Sequence, residues 1–105
     1  MNIKVWNIEE MTGYKPITTF YQDFSIADKF GIDAIKDTYE RAFKEWKNDY
    51  KYLTELSMVM SWKSFEHETN HEYCKLYCDL FEKVRNYAFD NLKDEELSYY
   101  IKTTD

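Results

Sequence analysis

Two glycines and one proline in 105 residues narrow the fold more than any other feature of this chain. Tight hairpins, β-bulges and phosphate-binding loops depend on glycine at positive φ. A chain short of both residues, and rich in Lys, Glu, Leu and Tyr, suits helices joined by short polar turns. We therefore expect an all-α fold: a small helical bundle of three long helices with shorter N- and C-terminal helices. The length fits one helical domain over residues 1–105, with a radius of gyration of roughly 13 Å.

Hydrophobic spacing places the helices. Residues 1–17 read as irregular, with a short strand at Ile3 to Trp6 and a short helix capped by Asn7 and ended by Gly13. Thr19-x-x-Gln22 fits a capping box opening a helix whose stripe is Phe20, Phe24 and Ala27, widened by Ile26 and Phe30, with Gly31 as its stop. A helix from about Asp33 to Lys47 carries Ile35, Tyr39, Ala42 and Trp46 on one face. The next, about Tyr50 to Glu66, is apolar on more than one face, which marks it as central. Its second stripe holds Met58, Trp62 and Phe65. Thr69-x-x-Glu72 is a further capping box, before a helix running to about Asn91. A last short helix, capped by Asp94, carries Leu97, Tyr100 and Ile101.

Aromatic residues make up 19% of the chain, including ten tyrosines and three tryptophans. Each ring buries roughly 150–250 Å², so the interior is expected to be built from rings. Every buried tyrosine hydroxyl needs a partner, which pushes some tyrosines to the surface. Tyr and Trp are enriched at interface centres. Trp6, Tyr14, Tyr21, Tyr99 and Tyr100 are the candidate partner-binding residues on these grounds.

The formal charge is −6 and its signs are mixed along the chain. No segment is basic, so the electrostatic footprint of a nucleic-acid binder is missing. Ala27-x3-Gly31-Ile32 resembles the turn of a helix-turn-helix, but the helix that follows mixes Asp33, Asp37, Glu40 and Glu45 with Lys36, Arg41, Lys44 and Lys47. DNA affinity rests mainly on phosphate neutralisation, and direct nucleic-acid binding is disfavoured. No apolar run nears the ~20 residues that span a bilayer. The first residues lack the basic start and apolar stretch of a signal peptide. The expectation is a cytoplasmic protein with reduced thiols and no membrane partner.

Every His and Cys lies in His67-x3-His71-x2-Cys74-x3-Cys78. A turn at residues 68–70 would let the two imidazoles meet, with Cys74 one turn on, as a metal site. One straight helix supplies two of zinc's four ligands and not all four. Small core cysteines and turn histidines are the plainer reading. Glu68-x-x-His71 matches half of a di-iron motif and has no second copy. Cys74 or Cys78 with His71 lacks an oxyanion hole and a third orienting group. With Gly13 and Gly31 as its glycines, the chain cannot form a P-loop or dinucleotide fingerprint. No cofactor is expected.

The run Trp6-Asn7-Ile8-Glu9-Glu10-Met11-Thr12-Gly13-Tyr14-Lys15-Pro16, the run from Thr19 to Gly31, the stretch from Ala34 to Leu56 and the ending Glu95-Glu96-Leu97-Ser98-Tyr99-Tyr100 carry a resemblance. They resemble small uncharacterised proteins of phages and conjugative elements of Gram-positive bacteria. The resemblance implies a mobile-element setting, where small acidic proteins often bind host or defence proteins, and assigns no residue a role.

The leading expectation is a non-enzymatic protein-interaction or regulatory module for a protein partner of unknown identity; a homodimer is compatible with it. Two readings stand beside it. One is an acidic inhibitor of a host defence or nucleic-acid-binding protein, which needs a continuous acidic stripe. The other is a metal-binding helical protein using His67, His71, Cys74 and Cys78.

Overall fold

The computed structural model describes residues 15–104. They form five helices: α1 (Phe20–Asp28), α2 (Ile32–Trp46), α3 (Tyr50–Glu66), α4 (His71–Asn91) and α5 (Asp94–Thr104), with no strand among the described residues. The all-α expectation is met. The short strand and helix expected before Pro16 lie outside the described residues. The radius of gyration is 13.4 Å. No described helix is long and apolar enough to cross a membrane.

The helix boundaries follow local chemistry, with shifts at three caps. Thr19 makes no side-chain cap bond. Instead the Thr18 hydroxyl accepts from the Phe20 N–H at 3.4 Å and donates to Glu55, which also accepts from the Ile17 N–H. Glu55 is buried in α3, so the start of α1 is held by a distant carboxylate and not by a local box. Asn70, one residue past Thr69, caps α4 by accepting from the Tyr73 N–H at 3.4 Å. Asp94 lies within α5 as its first residue, at φ 54°, a left-handed conformation that Asp tolerates better than most residues.

α1 ends where the Ala27 carbonyl accepts from both Phe30 N–H (3.0 Å) and Gly31 N–H (3.1 Å). Gly31 then reverses the chain at φ 108°, ψ −173°, a region open essentially to glycine alone. An added Cβ would find room, since its nearest neighbour is the Tyr73 hydroxyl at 4.0 Å. The cost of Gly31→Ala is therefore conformational. It is expected to lower stability by about 1–3 kcal/mol in urea unfolding, and an alanine variant as stable as the parent would disprove this account.

α3 is the centre. It packs against each of the other four helices, and residues Leu53 to Met60 are buried in an unbroken run. Rings fill much of the space around it. Trp46 stacks on Tyr52 (4.2 Å), Phe43 meets Tyr87 edge-on (5.0 Å) and Phe24 meets Tyr77 edge-on (6.1 Å). Such pairs contribute about 0.5–1.5 kcal/mol each beyond their area.

Tyr100 of α5 is fully buried, and its hydroxyl bonds Ser57 of α3 at 2.7 Å. Removing one partner strands the other. Tyr100→Phe or Ser57→Ala alone is expected to cost about 1–3 kcal/mol, and the double variant less than the sum, because an orphaned group costs more than a lost pair. A double-mutant cycle on urea midpoints measures the coupling, and strict additivity would rule the bond out as a stabilising contact.

Two side chains expected to widen the core stripe of α1 do not. Ile26 is 56% exposed and Phe30 77% exposed. The buried face holds Phe20, Phe24 and Ala27. One residue turns the helix by about 100°, which carries Ile26 off that face. Phe30 lies beyond the end of the helix. Phe65, expected in the second stripe of α3, is 65% exposed.

Candidate functional site

Among the described residues a half-buried polar cluster and an open groove stand out, the groove because two large exposed apolar side chains flank it; further open hollows of about 550 and 570 Å³ lie beside Phe65 and beside Leu76.

The cluster gathers from three helices. Asp28 is the last residue of α1, where a negative charge opposes the helix dipole. It is held there by three donors. The Lys63 ammonium lies 2.6 Å from Oδ2, the His67 ring nitrogen Nε2 lies 3.0 Å from the same oxygen, and the Tyr77 hydroxyl donates to Oδ1 at 2.5 Å. Lys63 also pairs with Glu66 Oε2 at 2.6 Å and donates to Ser25 Oγ at 3.3 Å. Its side chain is 3% exposed and passes 5.2 Å from the centre of the Tyr21 ring. The His67 ring stacks parallel on Tyr77 at 5.6 Å and tilts against Tyr73 at 5.1 Å.

Burial pushes the Glu66 carboxyl above its usual range, opposed in part by His67. Burial, then the Asp28 bond and charge, push the Tyr77 hydroxyl far up, so it stays a donor. One ammonium faces two carboxylates, Asp28 and Glu66.

Asp28, Glu66 and His67 present ligand atoms within 4.8 Å of one another. The Lys63 ammonium stands 2.6 Å from both carboxylates, and so fills the position a metal ion would take. This arrangement is an ion-pair latch joining α1, α3 and α4, with a cation already in place.

The structure does not gather the four His and Cys side chains expected to share a metal. His67 is the C-cap of α3 and turns to Asp28. His71 opens α4 and is exposed, Cys74 is half-buried and Cys78 exposed. Among the described residues, groups of three or more ligands within bonding reach do not include His71, Cys74 or Cys78. Desolvation, then the neighbouring Cys78, raise the Cys74 thiol, which disfavours the thiolate that nucleophilic catalysis needs.

The aromatic partner-binding set also separates. Tyr21 and Tyr99 are half-buried; Tyr21 lies beside Lys63, and Tyr99 meets Tyr50 edge-on at 5.3 Å. Tyr100 is a core residue and is withdrawn as a surface contact, because its hydroxyl is used by Ser57. Trp6 and Tyr14 lie outside the described residues.

The groove was not foreseen. It runs between α1 and α2 and encloses about 500 Å³. Ile26 and Phe30 stand on its wall, small residues such as Ala27 and Ala34 line it, and Trp46 is at its α2 end. The signal for it in sequence was the surplus of apolar residues around α1: a nine-residue helix has one buried face, and five candidates were competing for it.

Comparison with protein-family models, with curated proteins and with solved structures gave no match.

Proposed function

We propose that this chain is a non-enzymatic protein-interaction module, a small bundle on three long helices that docks a protein partner along the α1–α2 groove. The observation that carries this reading is the pair of exposed apolar side chains, Ile26 and Phe30, on the wall of an open groove. Large apolar groups gathered on a groove mark interaction surfaces when they are contiguous. The polar cluster supports the same reading, since its ammonium, carboxylates and imidazole are engaged with one another. The likeness to small proteins of phages and conjugative elements suggests the setting: regulation of a host or element protein.

The test is affinity capture from a Gram-positive host with the parent chain and with an Ile26→Ser/Phe30→Ser variant. Proteins retained by the parent and lost by the variant are expected. Equal retention by both would move the surface elsewhere, and retention of nothing specific would count against an interaction module.

A further inference from the structure

We infer that the occupant of the α1–α2 groove is a basic amphipathic helix of a partner protein. The inference rests on the interaction-module reading and names the partner's chemistry.

Shape comes first. The groove is the V between two helices joined by a three-residue turn, and a V of this kind is filled by the ridge of a third helix. Small side chains at Ala27, Ala34 and Ala42 let a backbone approach closely. α2 is 15 residues long, about 22 Å, which matches four turns of a partner helix with apolar anchors at i, i+3, i+4 and i+7.

Charge selects among occupants. The groove presents Asp23, Asp37 and Glu45 against Arg41. Arg41 is already paired with Asp37 at 3.1 Å in an exposed i,i+4 bridge. The lining is therefore net acidic, and a cationic flank on the partner is complementary. A second copy of the chain, with net charge −6, would bring like charge to like. Residues 1–14 carry Glu9 and Glu10 against Lys4 and are also of the wrong sign.

The probe is a synthetic peptide of ~18 residues, leucine on one helical face and lysine elsewhere, beside its leucine/glutamate counterpart. The full chain is titrated with each and followed by anisotropy and by amide chemical shifts. The lysine peptide is expected to bind roughly tenfold or more tighter than the glutamate one, with shifts confined to α1 and α2. Ile26→Ser/Phe30→Ser is expected to weaken it roughly tenfold. Both positions are solvent-exposed, so the variant's melting temperature should be unchanged.

Equal binding of both peptides, shifts elsewhere on the surface, or no binding would overturn the assignment. So would a dimer dissolved by the same double variant, which makes a second copy the occupant. Binding that emerges only after removal of residues 1–14 would make that segment the occupant. A captured partner that depends on Ile26 and Phe30 but offers no basic helix defeats this inference and leaves the interaction module standing. A capture that retains nothing specific defeats both, and one that retains the same proteins on parent and variant defeats this inference and moves the interaction surface off the groove.

Discussion

Raising the pH from 9 to 11 is expected to remove about 3 kcal/mol of stability from Tyr39 and Tyr77, which must stay neutral in the fold, with Tyr100 adding to the loss in the same direction. Tyr39, Tyr77 and Tyr100 are all buried. Burial pushes Tyr39 up to about 12 and raises Tyr77 and Tyr100 above the ordinary value. In the unfolded chain each gives up its proton near pH 10; in the folded chain Tyr39 and Tyr77 keep theirs and Tyr100 holds its proton to a higher pH than when unfolded. The folded state then binds more protons, so stability is intact below pH 10 and falls as pH rises, by about 1.4 kcal/mol per unit and per tyrosine. The fall from each group ends at its folded value. Urea unfolding at the two pH values measures the loss, with phenolate absorbance counting which tyrosines titrate in the native state. Tyr39→Phe should remove about 1.4 kcal/mol of that loss. A flat profile, with all ten tyrosines titrating together in native protein, would sink the prediction.

Replacing Lys63 by methionine is expected to have an effect at least as large. It leaves the Asp28 and Glu66 carboxylates partly buried without their ammonium. Breaking one side of a buried ion pair costs about 3–5 kcal/mol, and that range is expected for Lys63→Met at pH 7. The loss carries its own pH signature. Glu66 is pushed up by burial, so the stability it contributes is present below its unfolded value and lost as pH rises through its folded one. Without Lys63 that preference for the neutral acid grows, and acidification toward about pH 4 is expected to restore part of the stability. The combined variant Asp28→Leu/Lys63→Met/Glu66→Gln removes the charges together and is expected to recover part of the loss, short of the parent because the buried Tyr77 hydroxyl loses its acceptor. Thermal melts of the three proteins at both pH values are the check. A Lys63→Met protein that melts with the parent would show that the latch contributes nothing.

The helices were legible because they are local. Gly31 is a strong stop, and the apolar spacing of Ile35, Tyr39 and Trp46 needs no tertiary knowledge; the caps themselves were missed, since the side chains that close the starts of α3 and α4 are Asp49 and Asn70. What failed was chemistry between distant segments. Thr19 has the pattern of a capping box, yet the bond at that end belongs to Thr18 and to Glu55 far along the chain. Nothing in the local sequence marks Lys63, near the end of α3, for burial. It is buried because Asp28, 35 positions earlier, needs a cation at the end of α1. One signal was available: an aspartate closing a helix, where its charge is unfavourable, calls for a donor. The His and Cys spacing suggested convergence, but one imidazole was drawn away by that aspartate. Ile26 and Phe30 were misassigned because periodicity marks apolar residues and does not say which of two adjacent faces will be covered.

The enclosure of Leu53 to Met60 bears on how the protein comes apart. A segment touching every other helix cannot be released while the rest holds together. Amide protons there should exchange with solvent only through whole-molecule opening, making them the slowest in the chain.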